Sequence, residues 1–138
     1  MAAAHWLMKS EPETFSYDDL VRDGKTVWDG VRNNQAALYL KAMKLGDEAF
    51  FYHSQKGLEV VGICRVSREA FLDPSDAAAR FVAVEVVPVR ALKTPVSLAQ
   101  MKANPALAEM KMFKQFRLSV CPVEPDEWKA ILAMAGEA

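Results

Sequence analysis

Two β-rich runs, EAFFYHS (48–54) and LEVVGICRVSRE (58–69), are separated only by Gln55-Lys56-Gly57. A loop that short, carrying a glycine, predicts a β-hairpin, and the rest of the chain must pack around it. A third run, RFVAVEVVPVRAL (80–92), is long and rich in valine. Pro88 within it has no N–H to give to a ladder, so this strand lies at an edge or carries a bulge there. HWLMK (5–9) reads as a strand stopped by Ser10-Glu11-Pro12, and RLSVCPV (117–123) as a late strand.

Helical segments are short and unevenly spaced. Ser16, three residues before Asp19, predicts a capping box for YDDLVRD (17–23), which Gly24 ends. Asn33 or Asn34 caps a second helix through QAALYLKAMKL (35–45), with Leu38, Met43 and Leu45 as apolar positions and Gly46 as its stop. Ser97 opens LAQMKA (98–103), an irregular stretch follows (104–116), and Pro125 takes the first turn of a last helix through DEWKAILAMA (126–135). Regular βαβ alternation is missing, which argues against a doubly wound sheet. The pattern predicts one mixed α+β domain over residues 1–138, built on a curled sheet or small barrel.

Charge and composition exclude several classes. Seventeen Lys and Arg against 18 Asp and Glu leave a net charge of −1, which is incompatible with a polycationic nucleic-acid coat but leaves room for a local basic patch. Cys64 and Cys121 are far apart and outside any CxxC spacing, so neither a zinc site nor a disulfide framework is expected. No apolar run approaches the roughly 20 residues of a membrane span. MAAAHWLMKSEP lacks the long apolar core of a signal peptide, and a cytoplasmic protein is expected.

Enzyme chemistry has little to work with. His5 and His53 are the only histidines, and no serine sits in a G-x-S-x-G elbow. His53 and Ser54 are adjacent on a strand and so point to opposite faces. Cys121 and His53 can pair as nucleophile and base only if the fold brings them together; the alternative is a buried, inert cysteine.

Binding chemistry is better represented. In WDGVRN (28–33), Gly30 permits a sharp turn directly after Trp28. Trp28 then offers a rigid face on which a flat heterocycle can stack, unless it is simply core. Asn33 carries the donor and acceptor needed to read a base edge, or it caps a helix. Arg32 neutralises a phosphate or pairs with Asp29. Lys9-Ser10-Glu11-Pro12 is either a solvated turn or a polar pocket edge. Trp6 and Trp128 read as core. In KMFKQFR (111–117), Lys111, Lys114 and Arg117 interleave with Phe113 and Phe116, as suits a phosphate-facing loop or an ordinary surface segment.

Taken in order, WLMKSEP (6–12), WDGVRN (28–33), FYHS (51–54), VG (61–62), PVSLAQMKANPAL (95–107) and RLSVCPVEPDEW (117–128) closely resemble the EVE domain family over nearly the whole chain. The resemblance implies a PUA-like fold, a small mixed β-barrel or curled sheet flanked by short helices and related to YTH domains. It implies a non-catalytic module, without cofactor, that takes a modified base out of nucleic acid into a pocket, DNA being favoured over RNA. By position, Trp28 becomes a stacking wall with Asp29, Val31 and Asn33 beside it. Lys9 and Ser10 supply polar contacts; Tyr52, His53 and Ser54 form another wall; Leu118, Ser119 and Val120 close the pocket. Arg32 and Arg117 contact phosphates or brace the loops.

The chain also departs from the family pattern. Only AFLDPSDAAAR (70–80) stands where the family often has a longer loop. Asn34 replaces a common aromatic, Phe116 a common glycine, and Glu124 a threonine cap. Two other functions stay open: binding of a free small molecule or nucleotide, which the near-neutral charge suits, and an enzyme using Cys121 or His53.

Overall fold

In a computed structural model, which describes residues 4–115 and 117–137, the predicted hairpin is the centre of a six-stranded sheet. The strands are β1 (His5–Ser10), β2 (Thr26–Trp28), β3 (Glu48–His53), β4 (Glu59–Leu72), β5 (Val82–Ser97) and β6 (Val120–Val123). Their order across the sheet is β2-β5-β4-β3-β1-β6. β1 runs parallel to β3, and every other neighbouring pair is antiparallel. The fold is thus mixed α+β, a curled sheet with short helices.

Pro88 resolves as a bulge. β5 lies between β2 and β4, and its pairing with β4 slips where Ile63 faces Arg90 and Cys64 faces Pro88. Val89 is the extra residue, so the missing proline N–H falls at an irregularity. Gly62 is needed for close approach. A Cβ there would lie 2.5 Å from the Tyr17 ring, whose hydroxyl is fixed by donating to the Ile63 carbonyl at 2.9 Å.

The helices are α1 (Tyr17–Asp23), α2 (Asn34–Ala42), α3 (Leu98–Ala103), α4 (Lys111–Lys114) and α5 (Pro125–Met134), with a 3₁₀ turn at Pro105–Leu107. α1 has its capping box, Ser16 Oγ accepting from Asp19 N–H and Asp19 Oδ2 from Ser16 N–H, and it ends at Gly24 with φ 80°. α3 repeats that box with Ser97 and Gln100. α2 stops earlier than its sequence suggests. Asp47 Oδ2 accepts from Lys44 N–H at 3.0 Å and from Trp6 Nε1 at 3.0 Å, which draws the chain out of the helix after Ala42. Gly46 therefore turns the chain into β3 instead of ending α2. Ala36, Ala37, Leu40 and Met43 are buried here, whereas Leu38 and Leu45 face solvent.

β3 organises the core because it is covered on both faces. Successive side chains of a strand point to opposite sides. Phe50 stacks on Trp128 of α5, ring centroids 3.9 Å apart, while Phe51 meets Tyr17 of α1 and Trp28 edge-on at 5.3 and 5.4 Å. Trp6, Trp28 and Trp128 are all buried, as are Cys64 and Cys121. No helix among the described residues is long and apolar enough to cross a membrane.

Candidate functional site

β1 and β3 run parallel and in register, with Lys9 opposite Tyr52 and Ser10 opposite His53, so their C-terminal ends open side by side. Alternation sends Lys9 and Tyr52 to one face of the sheet and Ser10 and His53 to the other. A cavity of 590 Å³ is walled by Lys9, Glu11, Tyr52, Ser54, Gln55, Leu58, Arg117, Leu118 and Ser119. A second, of 230 Å³, is walled by Lys9, Ser10, Glu11, Thr14, Phe15, Thr26, Val27, Trp28 and Asp29. Lys9 and Glu11, at the strand end, belong to both.

The walls of the larger cavity are built by strand contacts. Lys9 N–H donates to the Ser119 carbonyl at 2.8 Å, which holds residues 117–119 beside β1, and Ser54 N–H donates to the Ser10 carbonyl at 2.9 Å. The Lys9 ammonium lies 5.9 Å from the centre of the Tyr52 ring, and burial lowers its pKa. Tyr52 is 1% exposed, and its hydroxyl is buried with no hydrogen-bond partner among the described residues. Burial also raises the pKa of that hydroxyl, so at neutral pH it is an uncharged group able to donate and accept. Leaving such a group unpaired costs about 1–3 kcal/mol.

The smaller cavity is set by the elbow after β2. Trp28 is 7% exposed and braced by its edge contact with Phe51, so little of its ring is open for stacking. Gly30, at φ 78°, turns the chain, and its N–H donates to Asp73 Oδ2 at 2.8 Å. The Arg32 guanidinium donates to the same oxygen at 2.9 Å and to Ser75 Oγ at 3.2 Å, and lies 5.2 Å from the centre of the Phe81 ring. Its carboxylate partner is thus Asp73, where the sequence suggested Asp29 or a phosphate. Asn33 caps α2, its Oδ1 accepting from Ala36 N–H at 3.0 Å, and exposed Asn34 opens that helix.

The single pocket expected from the sequence therefore divides. Trp28, Asp29 and Ser10 line one cavity; Tyr52, Ser54, Arg117, Leu118 and Ser119 line the other; Lys9 joins them. Val31 and Val120 are core residues, 5% and 0% exposed. His53 packs edge-on against Phe51, and its Nε2 accepts from Tyr17 N–H at 3.1 Å. Burial lowers its pKa, which fits a neutral, accepting imidazole. Phe116, one of the departures from the family pattern, lies outside the described residues.

Cys121 does not supply a ready nucleophile. Burial pushes its thiol up to about 11, so it stays protonated at neutral pH. No group of three or more His, Cys, Asp or Glu among the described residues is placed to hold a metal ion. Glu11 lines both cavities, as the pocket-edge reading of Lys9-Ser10-Glu11-Pro12 allowed, whereas the sequence reading missed Gln55 and Leu58 as wall residues, and Asp73. Asp73-Pro74-Ser75 does carry a local turn signal, and Ser75 N–H donates to Asp73 Oδ1 at 2.7 Å. Nothing near Asp73 in the sequence announces its partners Gly30 and Arg32.

Comparison with known proteins agrees with this architecture. The family model of the EVE domain matches residues 4–134. Human thymocyte nuclear protein 1 is 36% identical over 166 aligned residues, covering 96% of this chain and 74% of that protein. An NMR structure of a Rhodopseudomonas palustris protein superposes with a TM-score of 0.91 at 50% identity, covering 96% of this chain and 93% of that one. The crystal structure of the human protein in complex with 5-methylcytosine-containing DNA superposes with a TM-score of 0.91 at 34% identity, covering 99% of each chain.

Proposed function

Because this chain belongs to the EVE domain family, we propose that it is a non-catalytic module that binds a modified nucleobase in DNA. In this reading a methylated or hydroxymethylated cytosine leaves the base stack and enters the cavities at the ends of β1 and β3. The observation that carries it is the 590 Å³ cavity at the ends of β1 and β3, walled by Lys9, Tyr52, Ser54, Gln55, Arg117 and Ser119. The polar side chains among those walls, Ser54, Gln55 and Ser119, suit the in-plane donors and acceptors of a base. The human relative's complex with 5-methylcytosine-containing DNA supports the same ligand class. Lys9 and Arg117, which line the larger cavity, contact the flanking phosphates in this reading, and Trp28 and Asp29 form the far side of the site.

Titration with short oligonucleotides carrying cytosine, 5-methylcytosine, 5-hydroxymethylcytosine, adenine or N6-methyladenine tests this, followed by tryptophan fluorescence at two salt concentrations. We expect tighter binding to one modified cytosine than to cytosine. Two phosphate contacts predict a log–log salt slope of only about −2. Equal or absent binding to every oligonucleotide overturns the proposal. Equally tight binding of the free nucleoside turns it into a small-molecule binder.

A further inference from the structure

We propose that Asp73, through its carboxylate, is the positioning residue of this site, clamping the Gly30 elbow and Arg32 and so fixing where the Trp28–Asp29 wall stands. The inference rests on the reading that these cavities take a base. It begins from a weakness of the elbow. Residues 29–33 belong to no helix or strand, Asp29 and Gly30 are exposed, and a Cβ on Gly30 would meet nothing within 4 Å. Packing does not hold Gly30 in place. Polar contacts do.

Those contacts converge on one carboxylate from two parts of the chain. Asp73 Oδ2 accepts from Gly30 N–H at 2.8 Å and from Arg32 at 2.9 Å. Asp73 Oδ1 accepts from Ser75 N–H at 2.7 Å and Ser75 Oγ at 2.6 Å. The Asp73 side chain is 0% exposed against 41% for Arg32, so the clamp is anchored in the protein and reaches outward. The anchor itself is tied at the end of β4, where Asp73 N–H donates to the Phe81 carbonyl at 3.0 Å. Burial alone would raise the carboxyl pKa. Hydrogen bonds from Ser75, Arg32 and Gly30 outweigh that and hold it well below the usual carboxylate range, so the clamp stays charged at every working pH. A side amide could not replace it, because Asn offers one accepting oxygen where four donors converge. The wall next to the clamp is the wall that matters: Asp29 and Trp28 precede Gly30 directly and line the 230 Å³ cavity. Recognition sites need their contacting groups held to about half an ångström; β2 pairing and Phe51 hold the Trp28 side of the wall, and the Asp73 carboxylate holds the exposed elbow that follows it.

The test is a double-mutant cycle on the full chain, with Asp73→Asn, Trp28→Phe and the pair titrated against the 5-methylcytosine oligonucleotide under conditions where circular dichroism shows each variant folded. Asp73→Asn should weaken binding by about tenfold in the wild-type background, but by less than about threefold once Trp28 is already replaced. Tryptophan emission of the unliganded Asp73→Asn chain should shift to the red as Trp28 gains solvent. Unchanged affinity with a lowered Tm overturns the inference and leaves Asp73 a stabilising residue only. Equal losses in both backgrounds overturn it too, because they show no coupling to the wall. Should Asp73→Asn not fold, Ser75→Ala takes its place, with an expected loss of about threefold and the same overturning outcome if affinity is unchanged. If the wild-type chain binds none of the oligonucleotides, the functional reading falls and this inference with it; wild-type binding beside an unaffected variant sinks the inference alone.

Discussion

The two cavities share Lys9 and Glu11 but differ in how complete their walls are. Around the elbow, Gly30 N–H, the Arg32 guanidinium and the Asn33 carboxamide all have partners inside the protein. Across the sheet, Tyr52 keeps a buried hydroxyl with none among the described residues. One wall has its polar groups consumed in holding the chain, and the other keeps hydrogen-bonding capacity unused. The contrast separates residues that place a site from residues that touch what enters it. It also recasts the WDGVRN motif, whose polar side chains mostly serve the elbow's own geometry.

Replacing Asp73 gives the largest expected effect. Asp73→Ala leaves Gly30 N–H, Ser75 N–H and Arg32 without their acceptor, and should cost about 2–3 kcal/mol in urea unfolding, toward the low end because half-exposed Arg32 can turn to water. A loss under about 0.5 kcal/mol would break the contrast, since the elbow would then not depend on its clamp. Gly30→Ala comes next. Open space surrounds the position, so the cost is purely that of a positive φ, about 1–2 kcal/mol.

Acidification should act through His53, which packs against Phe51 and lines neither cavity. Its folded pKa lies below the ordinary 6.5, so the folded chain binds fewer protons than the unfolded one in that range. Its contribution is fully present above about pH 6.5 and is lost as pH falls through the lowered folded value. A Tm profile from about pH 7.5 to 5 should decline, and less steeply in His53→Gln. His5, whose pKa burial also lowers, leaves a residual slope in that variant. The smallest stability effect belongs to Tyr52→Phe, within about 1 kcal/mol of zero and on the stabilising side, because the hydroxyl it removes is unpaired. Destabilisation as large as that of Asp73→Ala would show that Tyr52 belongs to the scaffold.

Much of the fold was legible because its signals are local. Ser16 with Asp19 announces one helix start as a capping box and Ser97 announces another; both helices form, and the structure adds Gln100 as the partner that completes a second box. Gln55-Lys56-Gly57 announces the hairpin, and Pro88 announces an edge or a bulge, because its missing N–H cannot serve a regular ladder; the position of β5 inside the sheet decides for the bulge. α2 was misjudged at its end because Asp47, reached only through Trp6 and the turn into β3, competes for its backbone.

The candidate site was legible as a set of residues but not as an arrangement. Motif order across nearly the whole chain identified the family, and with it Lys9, Ser10, Trp28 and Tyr52 as residues of interest. What the sequence alone determined were most of the elements, the starts of α1, α2 and α3, and the chemical types gathered at the strand ends; the three-residue β2 and the short α4 were not read from it. That Trp28 and Tyr52 stand on different cavities depends on Trp28 of β2 packing on Phe51, because alternation along β3 sends Phe51 and Tyr52 to opposite faces of the sheet. That Arg32 belongs to Asp73, 41 residues away, depends on where β4 ends. Local signals act through a few bonds and survive in any context. Pairings across the chain are chosen by packing and register, and only the folded structure decides them.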